Sequence, residues 1–365
     1  MKYLGIFSIL LIMAAFSHTK EISAKVFSFP APKQGATDTT SPPAEVVIYS
    51  STDVDVFQGV IEDFQTTLPG ISVIYHELQS LELYERIQDE SSSGQQTADL
   101  AISSAMDLQM KLANDGFAQP VELSSAQNMP TWSVWRNEAF GVTFEPSVII
   151  YNKQYFNQHP LPKNRTELLN FLEKRPADIF GRIATYDIER SGLGYLFLAV
   201  DAEKYSATWD LVRAMGLNGV KLYSSSSAII ENVSSGKFVL GYNVLGSYAL
   251  SRMESSPELG ILLPEDYTVV FSRIALVPKT ARAPALGVVF LDYLLSEHGQ
   301  SVMVETAKLN AIHPDINLPL GQMSLSDTSR NNMIPIKVGP GLLVYLDQAK
   351  RGRIIRKWNS TLRGN

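Results

Sequence analysis

Cysteine is absent from all 365 residues. Disulfide staples, thiolate metal sites and cysteine nucleophiles are excluded with it. Histidine is scarce: the five (His18, His76, His159, His298 and His313) show no metal-ligand spacing. His76 opens a His-Glu pair like that of zinc proteases, but the second histidine of that motif is missing. There is no G-x-S-x-G elbow and no P-loop. Basic charge is short as well, 31 Lys and Arg against 37 Asp and Glu for a net charge of −6. That balance argues against a nucleic-acid partner, whose binding rests on basic surface. Behind the N-terminus no apolar run has the length of a membrane span. Carboxylates are plentiful, so an exported hydrolase working through an acid pair stays among the readings.

Apolar material is ample, at 45% of residues. A chain of this length is expected to form about two domains. It begins MKYLGIFSILLIMAAFSHTKEISAK: one lysine, an apolar run from Tyr3 to Phe16, then small residues. The run is short for a bilayer span and reads as a secretory signal peptide within residues 1–24, cleaved after Ser17 or Ala24. An exported, periplasmic protein is expected. Residues 25–44 are rich in Pro, Ser and Thr and read as a flexible leader.

From residue 45 strands and helices alternate. EVVIYSS ends in hydroxyls and is followed by Phe57, Val60, Ile61, Phe64 and Leu68 at helical spacing, with Thr52 or Asp53 as N-cap. ADLAISS runs through Ser103 and Ser104 into another helix that stops at Gly116. GRIATYD, near 181–187, leads into the elbow DIERSGLGY and a helix. Asn164 and Glu167 have capping-box spacing before one more. FVLGYNVLGSYAL turns at Tyr242 and Asn243. YTVVFSRIALVPK reads as one long strand, and EAFGVTFEPSVIIYN as two extended segments around Glu145 and Pro146. Such alternation predicts parallel sheets in an α/β fold, with ligands held beyond the carboxyl ends of the strands. Ser50, Ser51 and Thr52 would then share a rim with Ser103 and Ser104.

The order VVIYSS…VIEDF, ADLAISSAMDLQMKLANDGF, VIIYN and the closing VPK…APALGVVFLDYLLSEHGQ resembles the substrate-binding proteins of ABC transporters. It looks most like the extracellular solute-binding branch with ferric-ion, hexose-phosphate and phosphoglycerate-regulatory members. The resemblance covers most of residues 45–315. It implies a type 2 periplasmic binding protein fold: two α/β lobes joined by a two-strand hinge that closes on a ligand. Lobe one would span 45–145 plus 268–345, lobe two 146–267, and 346–365 would be a C-terminal helical extension. The implied partners are a small-molecule anion and either an ABC permease or a membrane sensor kinase. A monomer without cofactor or catalytic residue is expected.

On that footing the elbow at Ser191 and Gly192 is an anion cradle, because the N–H groups opening the helix carry its positive dipole end. Gly192 admits close approach. Tyr242, Asn243, Ser50, Ser51, Thr52, Ser103 and Ser104 complete the expected set, with Arg273 as the candidate ion-pair donor. Ferric binders of the family use adjacent tyrosines. Here Tyr242 is followed by Asn243, a poor ferric ligand, so a phosphorylated sugar or other phosphate is favoured, then a carboxylate, then ferric ion held by Tyr242, with Tyr248 as a helix position that could turn inward to help it. Trp132 and Trp135 read as hinge or core packing. Lys350, Arg351, Arg353, Arg356 and Lys357 read as a solvated helix face.

Overall fold

The computed structural model describes residues 25–32, 44–174, 177–316 and 332–364. The expected signal peptide, 1–24, lies outside the described residues, as does 33–43 of the expected leader. Residues 25–29 of that leader are not loose chain. They form strand β1 (Lys25–Phe29), which pairs antiparallel with residues 73–77 and anchors Lys25 to Glu77 at 2.7 Å. The alternating Val26/Ser28 and Phe27/Phe29 pattern supplies one apolar face for the sheet edge.

Along the first half, β1 is followed by β2 (Ala44–Ser50), β3 (Ile71–Glu77), β4 (Leu100–Ser103), β5 (Val134–Trp135) and β6 (Ala139–Gly141). Helix α1 (Val54–Thr67) connects β2 to β3, α2 (Ser80–Ser92) connects β3 to β4, and α3 (Met106–Asn114) follows β4. The middle of the chain gives β7 (Glu145–Asn152), β8 (Ile183–Tyr186), β9 (Lys221–Tyr223), β10 (Leu240–Leu245), β11 (Leu259–Leu262) and β12 (Thr268–Phe271). With them run α4 (Lys153–Phe156), α5 (Arg165–Glu173), α6 (Gly192–Lys204), α7 (Thr208–Leu217), α8 (Ser226–Ser234) and α9 (Gly246–Met253). Then follow β13 (Ile274–Leu276), α10 (Pro284–Leu295), α11 (Glu297–Glu305), β14 (Met333–Pro335), a 3-10 turn Pro340–Leu346 and a C-terminal helix Gln348–Leu362.

Two sheets result. The first has the order β1-β3-β2-β4-β13-β6-β5, the second β14-β12-β7-β10-β8-β9 with β11 also on β7. β2, β3 and β4 are mutually parallel, as strand–helix–strand crossovers require. The helical spacing in α1 serves the core it predicts: Phe57, Val60, Ile61 and Phe64 are buried, and Phe64 packs on Phe290 of α10 at 4.4 Å between ring centroids.

The chain passes directly from one sheet to the other at residues 142–144 between β6 and β7, and at 272–273 between β12 and β13, and it is back in the second sheet at β14. TVVFSRIAL is therefore two strands and not one. The break comes where pairing with β7 ends and pairing with β4 and β6 begins. The extended segments at 138–152 likewise part before Glu145, because Glu145 already pairs with Phe271 of β12. The crossings hold each other: Val142 N–H donates to the Arg273 carbonyl at 2.9 Å, and Arg273 N–H donates to Thr143 Oγ1 at 2.9 Å.

The C-terminal part contacts both lobes. β14 is an edge strand of the second sheet, parallel to β12. Val338 N–H donates to the Trp132 carbonyl at 2.7 Å, on the first lobe. Residues 340–346 pack against α3, and the C-terminal helix packs against α7. Residues 332–345 thus belong to neither lobe alone, whereas the sequence reading put them in lobe one. Among the described residues no helix is long and apolar enough to cross a membrane.

Candidate functional site

A cleft of about 630 Å³ lies between the lobes. Six helices begin at its walls. Lobe one supplies α1 behind Ser51 and Asp53, α2 at Gln79 and Ser80, and α3 at Ser104 and Ala105. Lobe two supplies α6 at Ser191 and Gly192, α8 at Ser225 and Ser226, and α9 behind Leu245. The first N–H groups of a helix have no intrahelical acceptor, and its start carries a partial positive charge. Six such starts around one space make a donor-rich wall.

The hydroxyls are ordered by the elbows themselves. Ser191 is the N-cap of α6, its oxygen accepting from Gly194 N–H at 3.1 Å, and Ser225 caps α8 in the same way at 3.4 Å. Ser51 joins the two lobe-one elbows: its hydroxyl donates to Ser103 Oγ at 3.3 Å and accepts from Ser104 N–H at 3.1 Å. A Cβ on Gly192 would meet nothing within 4 Å, so that backbone is exposed to the cleft.

Two arginines, Arg190 and Arg351, line the space, and among the described residues neither is ion-paired. Three carboxylates, Asp53, Asp107 and Glu189, also face it. Burial pushes the pKa of Asp53 up, and the negative charge of Glu77 adds to this. Asp107 is only 3% exposed, and burial pushes it up too. Tyr186 and Tyr248 add phenols, with the Tyr186 hydroxyl bonded to Ser226.

Of the residues singled out from sequence, Ser51, Ser104, Ser191 and Gly192 line the cleft. Ser50, Thr52 and Ser103 are buried behind its wall. There Ser50 Oγ accepts from Thr52 N–H at 3.1 Å. Tyr242 and Asn243 are buried inside lobe two. The Tyr242 hydroxyl accepts from Arg165 Nε at 2.8 Å and donates to Asp201 Oδ2 at 2.8 Å. Asn243 donates to the same oxygen at 2.7 Å, from a left-handed conformation (φ 57°) at a bulge in β10. Burial holds the Tyr242 phenol well above its ordinary pKa. The elbow expected to meet ligand is therefore a polar knot with Arg165 and Asp201 at its centre.

Arg273 is also buried, at the second crossing. It pairs with Glu145 at 3.0 Å and donates to Thr52 Oγ1 at 3.0 Å. Burial alone would lower its pKa, but Glu145 overrides this and holds it charged. Glu145 in turn accepts from Ser247 at the start of α9 and from Thr143. Arg273 is thus a hinge residue bridging the two lobes, not part of the cleft wall. Trp132 packs edge-on to Phe144.

Tyr248, read from sequence as a helix position that could turn inward, does line the cleft, while sequence reasoning missed Gln79, Ser80, Arg190, Ser224 to Ser227, Gln348 and Arg351 as site residues. The run of four serines that leads into the first turn of α8 follows the same strand-to-helix logic as the other elbows and could have been found by it. The basic C-terminal helix is not a uniformly solvated face. Lys350 pairs with Glu203, Lys357 lies over Trp209, and Arg351 turns to the cleft. Among the described residues no group of three or more His, Asp or Glu could hold a metal ion.

Comparison with known proteins gives a consistent picture. The profile described as "Bacterial extracellular solute-binding protein" matches residues 46–306. The chain is 45% identical to the substrate binding protein of an ABC transporter from Agrobacterium tumefaciens, with a TM-score of 0.82, over 93% of this chain and 99% of that one. Iron-bound HitA from Pseudomonas aeruginosa is similar in fold at 16% identity, TM-score 0.69, over 86% of this chain and 99% of that one. AfuA from Actinobacillus pleuropneumoniae, with fructose-6-phosphate bound, is similar at 17% identity, TM-score 0.67, over 88% and 99%. No curated protein sequence matches.

Proposed function

The chain belongs to the bacterial extracellular solute-binding proteins of ABC transporters, and from that premise we propose that its cargo is a small hydroxylated organic anion, a sugar phosphate or related phosphate ester before a carboxylate. Such proteins carry a solute outside the cytoplasmic membrane and hand it to a permease. Export through the N-terminal signal peptide completes this reading. The observation that carries the choice of ligand is the convergence of six helix starts and two unpaired arginines on one cleft. The carboxylates of Asp53, Asp107 and Glu189 suit the hydroxyl groups of such a ligand, from which they can accept hydrogen bonds.

The ferric reading loses Tyr242 and keeps only Tyr248 of the two tyrosines considered for it, a phenol that lines the cleft and whose pKa burial also raises. Tyr242 is committed to Arg165 and Asp201, and its buried phenol favours the protonated form, which does not bind iron. A sensor-kinase partner would use the same cleft, and the carboxylates that an acid-pair hydrolase would need are assigned here to the hydroxyl groups of the ligand.

The test is a thermal-shift screen of the protein without its leader against hexose phosphates, phosphoglycerates, inorganic phosphate, citrate and ferric citrate. A native-state ligand raises the melting temperature with concentration. A shift with a phosphate ester is expected, and Gly192→Val, whose side chain would project into the cleft, should abolish it while the ligand-free melting temperature holds. A shift with ferric citrate alone would overturn the proposal.

A further inference from the structure

The family profile ends at residue 306, yet the cleft wall continues beyond it with Leu346, Gln348 and Arg351. This segment is fixed on both sides of the cleft. Residues 340–346 lie against α3 of lobe one. The Tyr345 hydroxyl and Lys350 Nζ both reach Glu203 of lobe two, at 3.2 and 3.1 Å, and Asn359 donates to Glu189. Asp347 caps the C-terminal helix by accepting from Lys350 N–H at 2.6 Å, which sets the direction of the first turn.

That turn places Arg351 over the ring of Tyr195, with the guanidinium carbon 4.6 Å from the centroid. Its neighbour Lys350 is satisfied by Glu203, whereas Arg351 has no ion-pair partner among the described residues. A guanidinium held on an aromatic face keeps its fork of donors free for an oxyanion. We infer that Arg351, delivered by the C-terminal segment, is a specificity-determining contact for the anionic group of the ligand, so that the binding site is completed by a part of the chain outside the family's matched region. The inference rests on the organic-anion reading and adds to it the residue that grips the anion.

The experiment is calorimetric titration with whichever of fructose 6-phosphate, 3-phosphoglycerate, inorganic phosphate or citrate gives the largest thermal shift. Arg351→Gln should weaken binding about ten- to a hundredfold, the range of a lost charged hydrogen bond. Arg351→Lys, which keeps the charge and the stem but loses the fork, should fall between, and it serves in place of the Gln variant should that one fold poorly. Arg353→Gln, on the exposed side of the same helix, should bind like wild type. If Arg351→Gln, or Lys in its place, binds with wild-type affinity, the cleft is anion-binding without Arg351 and this inference alone falls. If the wild-type protein takes up none of the four anions, both readings fall together.

Discussion

His76 sits edge-on to Tyr49, ring centroids 5.0 Å apart, with Nδ1 buried and without a hydrogen-bond partner. Burial, helped by the charge of Arg86, lowers its pKa from 6.5 to about 4. The unfolded chain therefore takes up a proton near pH 6.5 that the folded chain refuses until about pH 4. Stability is unaffected by this group above pH 6.5 and falls as pH drops from 6.5 to 4. His76→Phe should flatten that part of the pH profile, read as urea midpoints at pH 7.5 and 4.5; a variant as acid-sensitive as wild type would place the loss elsewhere. The residue scale is also where sequence reading was least able to see. Tyr242, Asn243 and Arg273 have the right chemistry for a ligand, but their partners Arg165, Asp201 and Glu145 are tens of residues away in the chain. Only the fold shows Tyr242 and Asn243 already bonded to Arg165 and Asp201, and Arg273 already paired with Glu145. Ser51, Ser104, Ser191 and Gly192 were easier, because an elbow between strand and helix fixes its own position on the rim of a parallel sheet.

Helices and strands were legible wherever apolar periodicity was clean, as in α1 and β2. The hinge was not: TVVFSRIAL has no Gly or Pro to mark a break, and its division into β12 and β13 is set by which strands lie beside it. The C-terminal helix shows how a single close contact sets an element. A Cβ on Gly216 of α7 would overlap the carbonyl oxygen of Leu362. Backbone cannot yield as a flexible side chain can, so Gly216→Ala should push the C-terminal helix off α7 at a cost of about 1–3 kcal/mol. Hydrogen exchange should quicken through Gln348–Leu362 while the strands of the first sheet keep their protection. Unchanged exchange there would mean that α7 itself absorbs the added methyl.

At the scale of the whole molecule, the Arg273–Glu145 pair ties the crossing segments together and reaches both lobes through Thr52 and Ser247. Removing one partner leaves the other charge buried, a loss of about 3–5 kcal/mol. Arg273→Ala should therefore lower the denaturation midpoint steeply, and any loss of affinity should follow from misaligned lobes. A stable variant with weakened binding would instead move Arg273 into the site. The double crossing also dictates an order of construction. Ile274 pairs with Ser103 across a long intervening stretch of chain, while the central strands of the second sheet, β7 to β12, come from one continuous stretch. As a chain is synthesised N-terminus first, the lobe that appears first must wait with an open strand edge on β4 until residue 276 has arrived. The second lobe can assemble its centre meanwhile, and long-range pairing of this kind is slow to form. The middle of this chain is thus poised to fold ahead of its beginning.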